Sequence, residues 1–199
     1  MDLSLLKALS EADAIASSEQ EVRQILLEEA DRLNKEVRFD GLGSVLIRLN
    51  ESTGPKVMIC AHMDEVGFIV SSINDRGYVS IQPVGNMWTH TLLQQLVTIT
   101  TSDGRQWTGI IGGPQTHAIS PEARKKVVAM EELFIDLGVD SRESIQEMGI
   151  EVGDVVSLVS TCQTIGLNQE YMIGKALDNR VSVSLGIWLM KALEHQNLS

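Results

Sequence analysis

Two short stretches of this sequence contain residue types that could bind a metal ion, and the first covers residues 61–67, Ala-His-Met-Asp-Glu-Val-Gly. It follows an apolar run typical of a buried strand, and ligands bind at the carboxyl ends of strands in open α/β sheets. Because a strand points alternate side chains to one face, we expect His62 and Asp64 to lie side by side. A carboxylate that holds an imidazole can orient it for metal binding. Taken alone, the short pattern His-x-Asp favours a structural interpretation, a histidine hydrogen-bonded at a strand end with Asp64 and Glu65 capping a turn.

The second stretch covers residues 174–180, Gly-Lys-Ala-Leu-Asp-Asn-Arg, and it places Asp178 at the start of a helix. Aspartate is strongly favoured at the N-cap of a helix, so a purely structural role is one interpretation. The functional interpretation is a carboxylate that points into the same crevice as His62. An aspartate in that position is suited to bridge two divalent ions in a hydrolytic site.

The elements around these stretches indicate an α/β fold. Residues 57–61 form an unbroken apolar run, which is typical of a strand buried on both faces of a helix-covered sheet. The first forty residues are predicted to be helical, with Asp2 capping one helix and Ser18 and Glu21 forming a capping box for a second. The last helix follows Asp178 and is expected to bury one apolar stripe, which consists of Val181, Leu185, Trp188, Leu189 and Ala192.

The pattern changes between residues 67 and 161, where short strand candidates are separated by turn signals. Strands are predicted at residues 67–73, 78–84, 96–101, 107–111, 133–136 and 155–159, with a short helix at 140–148. Such a series favours a small β-barrel or sandwich. We therefore expect one discontinuous domain, residues 1–66 with 162–199, interrupted by a β-rich domain at residues 67–161.

Composition argues against several classes of function. The 199 residues carry 16 Lys+Arg against 27 Asp+Glu, a formal net charge of −11, which argues against a nucleic-acid partner. No apolar run approaches the ~20 residues that a membrane-spanning helix requires, and the N-terminus shows no secretory signal. The two cysteines, Cys60 and Cys162, form no metal-binding or disulfide pattern. We therefore expect a cytoplasmic protein without a nucleic-acid or membrane partner.

In their order along the chain, the two stretches resemble those of the tetrahedral (TET-type), glutamyl-aminopeptidase-like family of dinuclear metallo-aminopeptidases. Segments 120–127, 133–138 and 152–154 resemble parts of the domain inserted in the same family. The resemblance covers essentially the whole chain. It implies a zinc-peptidase-like, helix-covered sheet that is incomplete at the C-terminus and is interrupted by a small PDZ-like β-barrel.

The same resemblance implies roles for three residues. His62 would bind one metal ion, Asp178 would bridge two ions, and Asp64 would serve catalysis by orienting the His62 ring. The implied cofactors are two divalent ions, and zinc, cobalt and manganese all suit histidine and carboxylate ligands. The implied reaction removes N-terminal residues from peptide substrates. The implied partners are further copies of the chain, as dimers that assemble into a dodecamer with an oligomerisation role for residues 67–161.

In that family the general base and the remaining metal ligands follow the helix after the bridging aspartate. The chain is therefore expected to be the N-terminal part of a longer enzyme and to be inactive alone. Two alternatives stay open at this point. One is a deacylase or other amidohydrolase with the same dinuclear architecture, and the other is a non-catalytic assembly or peptide-binding module.

Overall fold

A computed structural model describes residues 3–51, 54–115, 117, 120–194 and 196. The chain divides into two compact units, Met1–Glu65 with Ser160–Ser199 and Val66–Val159. Asp2, which the sequence predicts as a helix cap, lies outside the described residues. Among the described residues, no helix has the length and apolar character needed to cross a membrane.

The helices and strands of both units follow one another in this order. They are α1 (Leu3–Glu11), α2 (Gln20–Arg32), β1 (Val37–Phe39), β2 (Val45–Ile47), β3 (Gly67–Ile73), β4 (Val79–Val84), β5 (Leu96–Thr100), β6 (Gln106–Gly112), β7 (Phe134–Asp136), α3 (Arg142–Glu147), β8 (Val155–Leu158), β9 (Gln163–Ile165), β10 (Tyr171–Ile173) and α4 (Leu177–Leu193).

The first unit contains α1, α2 and α4 together with two separate hairpins, β1 with β2 and β9 with β10. Its core is formed by apolar side chains of the helices and of the loop after α1. On α4 the buried apolar residues are Val183, Ile187 and Met190, whose spacing of four and three places them on one helix face. This face packs in one cluster with Leu5 and Leu9 of α1.

Two predictions about the burial of apolar residues in the first unit are wrong. Residues 57–61 form no strand and are exposed, with Val57 at 88%. A buried strand needs hydrogen-bonded neighbouring strands, and among the described residues no strand pairs with this run. The stripe predicted for the last helix is not the buried one, since Leu185 and Trp188 are 42% and 47% exposed. The opposite face of α4 is buried because it is the face that contacts α1.

The predicted capping box at the start of α2 is also wrong. Glu19 occupies the N-cap position and makes no side-chain capping hydrogen bond. The Glu21 carboxylate instead accepts a hydrogen bond from the backbone N–H of Asp13 at 2.8 Å. The Ser18 hydroxyl donates to the side-chain oxygen of Gln20 at 3.1 Å. Glu21 therefore ties the loop after α1 to α2, and the Ser18 N–H, which a capping box would bind, donates to the Ile15 oxygen at 2.8 Å.

The second unit is a closed six-stranded barrel with the strand order β3-β4-β7-β6-β5-β8. All neighbouring pairs are antiparallel, and Phe68 of the first strand pairs with Val156 of the last. Alternate side chains point inward, as the burial of Val97 and Ile99 on β5 shows. The expected small β-barrel is therefore confirmed, and the predicted strands match the observed ones to within one or two residues.

An aspartate organises one tight turn in each unit. In the β5–β6 turn of the barrel, Asp103 accepts hydrogen bonds from the Thr101 hydroxyl and from Arg105. The Thr101 bond is the main cause that lowers the pKa of Asp103. In the β1–β2 turn, Asp40 accepts from the backbone N–H groups of Leu42 and Ser44. A side-chain hydrogen bond from Ser44 is the largest of the causes that lower the pKa of Asp40.

Candidate metal centre

The first unit brings the two predicted stretches together at His62. Its Nε2 atom lies 3.1 Å from Oδ1 of Asp178, although 116 residues separate the two along the chain. On the other edge of the ring, Nδ1 lies 3.2 Å from Oδ1 of Asp64 and 3.2 Å from the backbone oxygen of Asp64. The imidazole therefore has a carboxylate next to each of its nitrogens.

Asp178 lies in the first turn of α4, but its carboxylate does not cap the helix. Ala176 occupies the N-cap position in a left-handed conformation, with φ of 51°, and no side chain caps the helix there. The backbone of Asp178 is extended, with φ −90° and ψ 101°, and the Asp178–Asn179 peptide is cis. The interpretation of Asp178 as a capping residue is therefore wrong, and its side chain, 95% exposed, contacts His62 instead.

The donor atoms around His62 fit part of a divalent metal site. An imidazole nitrogen and a carboxylate oxygen are ligands that zinc and similar ions accept, and Nε2 of His62 and Oδ1 of Asp178 face each other. Asp64 lies at the opposite ring edge, where a carboxylate orients a ligand histidine. Among the described residues no group of three or more His, Cys, Asp and Glu side chains could hold an ion. A catalytic zinc takes about three protein ligands, so His62 and Asp178 are a partial set.

Sequence reasoning missed three buried charged residues that flank the site residues in the chain. Glu65 follows Asp64, and its side chain is only 5% exposed. Lys175 precedes Asp178, and its ammonium group donates to Glu65 Oε1 at 2.9 Å and also to Asp13. Arg180 is fully buried and lies 3.7 Å from the same Glu65 oxygen.

The environment of Arg180 contains both burial and acidic neighbours. Burial has the largest influence on the pKa of Arg180 and lowers it. The negative charge of Glu65 acts in the opposite direction. Further carboxylates that favour the charged form include Asp64. Because a guanidinium stays protonated in proteins, Arg180 contributes a fixed positive charge behind the site.

A sequence signal for the burial of Arg180 does exist. Arg180 stands three residues before Val183 and seven before Ile187, which is the spacing of one helix face. Arg180 therefore belongs to the buried stripe of α4. No comparable signal exists for Lys175, because its partner Glu65 lies 110 residues away in the chain.

Residues 43–199 match the family model described as M42 glutamyl aminopeptidase. The chain belongs to this M42 family. The glutamyl aminopeptidase of Lactococcus lactis subsp. cremoris MG1363 is 29% identical over 97% of this chain and 55% of its own length.

Solved structures of similar proteins support the same assignment. A TET aminopeptidase from the marine sediment archaeon Thaumarchaeota archaeon SCGC AB-539-E09 matches with a TM-score of 0.92 and 34% identity, over 99% of this chain and 55% of its own. The Pyrococcus horikoshii TET1 peptidase, described as assembling into a tetrahedron or a large octahedral shell, matches with a TM-score of 0.82 and 26% identity, over 96% of this chain and 55% of its own. The expected α/β fold with a β-barrel is thus shared with these TET structures, and the chain spans about half of their length.

Proposed function

We propose that this chain forms part of a metal-dependent aminopeptidase, which hydrolyses N-terminal residues from peptides. The observation that carries the proposal is the 3.1 Å approach of the His62 imidazole to the Asp178 carboxylate. Both residues lie within the range matched by the M42 family model. Similar proteins along the same range are named as aminopeptidases.

In this proposal the chain supplies two metal ligands and one orienting group. His62, through Nε2, and the Asp178 carboxylate would hold the divalent ions, His62 as a ligand of one and Asp178 as a ligand shared by two, and zinc, cobalt and manganese all suit these donors. When bound, such a pair of ions polarises the scissile carbonyl and makes a water molecule nucleophilic at neutral pH. Asp64 would accept a hydrogen bond from Nδ1–H of His62, which leaves the Nε2 lone pair free to bind an ion on the Asp178 side.

The two units take different roles in this proposal. All three site residues belong to the first unit, so we assign catalysis to residues 1–66 with 162–199, as a zinc-peptidase-like domain. We assign oligomerisation to residues 67–161, as a PDZ-like module whose dimer contacts build a dodecamer. The assembly described for the Pyrococcus horikoshii TET1 peptidase supports this assignment. The formal net charge of −11 favours a peptide over a nucleic-acid substrate, and we assign the enzyme to the cytoplasm.

Turnover of aminoacyl-p-nitroanilides by the full-length protein tests the proposal. Turnover should be lost in EDTA and restored by zinc, cobalt or manganese, because the ions supply the activated water. His62→Ala and Asp178→Ala should abolish turnover, since each removes a metal ligand. Asp64→Asn should reduce it about 10–100-fold, the usual effect of losing a group that orients a ligand.

His90→Ala is the matched control, because His90 is exposed and lies in the barrel unit. It should leave turnover unchanged. Turnover that survives in a folded His62→Ala protein would contradict the site assignment. Hydrolysis of N-acylated but not of free-amine substrates would favour the deacylase, and a folded protein without bound metal or turnover would favour a non-catalytic module.

A further inference from the structure

The buried charged cluster behind the site consists of Asp13, Glu65, Lys175 and Arg180, two acidic and two basic residues. The side chains of Glu65, Lys175 and Arg180 are 5%, 8% and 0% exposed. Burying a charge is unfavourable unless an opposite charge and hydrogen bonds compensate it, so these groups depend on one another. The cluster therefore differs from exposed surface ion pairs, whose geometry is loose and whose contribution is small.

This cluster joins the two chain segments that carry the site. Glu65 stands three residues after His62, and Lys175 stands three residues before Asp178. The 2.9 Å contact between Glu65 Oε1 and Lys175 Nζ is thus a direct link between the segments. The site side chains themselves are exposed, His62 at 51% and Asp178 at 95%, so packing against neighbours does little to hold them.

The end of α1 and the following loop anchor both segments as well. The backbone N–H of Glu65 donates to the Ala14 oxygen at 2.8 Å, and the Ala14 N–H donates back to Glu65 Oε1 at 3.0 Å. On the second segment, the Ser10 hydroxyl donates to the Lys175 oxygen at 2.6 Å. Arg180 donates to the Leu9 oxygen at 2.9 Å. Neither segment can shift along the other without breaking several buried contacts.

We propose that Glu65, with its partners Lys175 and Arg180, sets the separation between the His62 imidazole and the Asp178 carboxylate. In this role the three are positioning residues, because they touch the site segments and not the ion or substrate. A metal site needs its ligands held to within about 0.5 Å, and exposed side chains achieve this only if their backbones are fixed. The positioning role itself does not depend on the proposed function. Only its expected consequence, tighter metal binding, rests on that proposal.

The first test measures the positioning in metal-free protein. The chain is labelled with ¹⁵N, and the ring nitrogens of His62 are assigned among its four histidines through the His62→Gln variant. Asp178→Asn should shift the His62 Nε2 resonance, because the two groups are in contact. In a Glu65→Gln background the same substitution should produce less than about half of that shift, because charge interactions weaken as the groups move apart.

Glu29→Gln is the matched control for Glu65→Gln. The Glu29 side chain is also 5% exposed and also contacts one lysine and one arginine, Lys191 and Arg32. Lys191 lies about 20 Å along α4 from Asp178 at the usual helical rise, so this cluster does not touch the site. Glu29→Gln should lower the thermal unfolding midpoint as Glu65→Gln does, yet leave the effect of Asp178→Asn on His62 unchanged.

The second test titrates the same proteins with zinc chloride and follows the His62 resonances. Glu65→Gln should raise the zinc dissociation constant about 10-fold or more, and Glu29→Gln should leave it within about twofold. Asp13→Asn, which removes one partner of Lys175 and keeps Glu65, is used if Glu65→Gln does not fold, and it should act in the same direction as Glu65→Gln.

The two tests separate this inference from the proposed function. An unchanged Asp178→Asn effect in folded Glu65→Gln protein, or an equal change in Glu29→Gln protein, would overturn the positioning role. A reduced effect in Glu65→Gln protein supports the positioning role by itself, whereas a full-length protein that binds no zinc at His62 would contradict the metal site and leave the positioning role standing.

Discussion

The barrel and the unit that carries His62 and Asp178 are stabilised in different ways. In the barrel each of the six strands pairs with two others, and the interior is filled by buried apolar side chains. In the first unit the described strands form two isolated hairpins, and the apolar run 57–61 is exposed. Its order rests on the helix core and on the buried charges around Glu65. The candidate site residues thus lie in the unit that has less sheet structure of its own.

Two phenylalanines test this difference most strongly. Phe68 is fully buried in barrel strand β3, whereas Phe39 in the β1–β2 hairpin is 53% exposed. Phe68→Ala should lower the free energy of unfolding of the barrel by about 3–5 kcal/mol, because it leaves a cavity in a closed core. Phe39→Ala should cost less than about 1 kcal/mol, because little apolar contact is lost.

Urea unfolding in a Trp188→Phe background measures the Phe68→Ala loss, because the remaining tryptophans, Trp88 and Trp107, lie in the second unit. Unfolding followed at Trp188, with Trp88 and Trp107 replaced by phenylalanine, measures the Phe39→Ala loss in the first unit. Equal losses in the two alanine variants would show that the hairpin is as tightly packed as the barrel.

Alanine substitutions at two glycines are expected to change stability by smaller amounts, and the two changes have opposite signs. A Cβ at Gly109 in β6 would lie 2.4 Å from Cγ2 of the buried Ile135, so Gly109→Ala should destabilise the barrel by about 1–3 kcal/mol. A Cβ at Gly186 in α4 would meet nothing within 4 Å. Gly186→Ala should therefore stabilise the first unit by about 0.5–1 kcal/mol, because glycine is a poor helix former.

Urea unfolding followed at the tryptophans of each unit checks both glycine signs. A destabilising Gly186→Ala would mean that the face of α4 carrying Gly186 is already in close contact with other atoms.

Asparagine substitutions in the two turns organised by aspartates are expected to change stability least. The folded-state pKa of Asp103 is below its ordinary value of 3.8, so its carboxylate stabilises the fold above that pH, and the contribution is lost as the pH falls below it. Asp103→Asn should therefore lower the urea midpoint of the barrel at pH 7, and the difference from the unsubstituted protein should shrink as the pH falls through 3.8. Asp40→Asn should leave the barrel midpoint unchanged and speed amide hydrogen exchange only in β1 and β2.

A difference for Asp103→Asn that grows as the pH falls would contradict the lowered pKa. A shift of the barrel midpoint by Asp40→Asn would contradict the local character of the hairpin effect.

The barrel could be predicted from the sequence because its signals are local. Alternating apolar residues and turn sequences such as Ser102-Asp103-Gly104 lie within a few residues of the strands they define. The exposure of residues 57–61 could not be predicted. An apolar run predicts that its side chains are buried, but it does not identify the residues that would cover them. The predicted stripe on α4 was wrong for a related reason. Both faces of the helix carry apolar residues, and the contact with α1 selects the face of Val183 and Ile187.

The site was predictable only in part. His62 and Asp178 were singled out through two motifs and a family resemblance, and the structure places their side chains in contact. Their roles as metal ligands, and that of Asp64, stay predictions. The pairing of Glu65 with Lys175 had no sequence signal, because each residue alone is typical of a solvated surface. Long-range pairing of buried charges depends on the tertiary fold and leaves no local pattern.

The pairing of the first and last barrel strands also has a consequence for the order of folding. Because Phe68 pairs with Val156, a folded barrel acts as a short bridge between the two halves of the first unit. Before the barrel forms, contact between His62 and Asp178 must close a loop of 116 residues. Afterwards only residues 62–68 and 156–178 remain as free chain, roughly a quarter of that length, which reduces the entropic cost of closure by about 1 kcal/mol. The barrel thus favours folding in which the insertion forms first and the site closes afterwards.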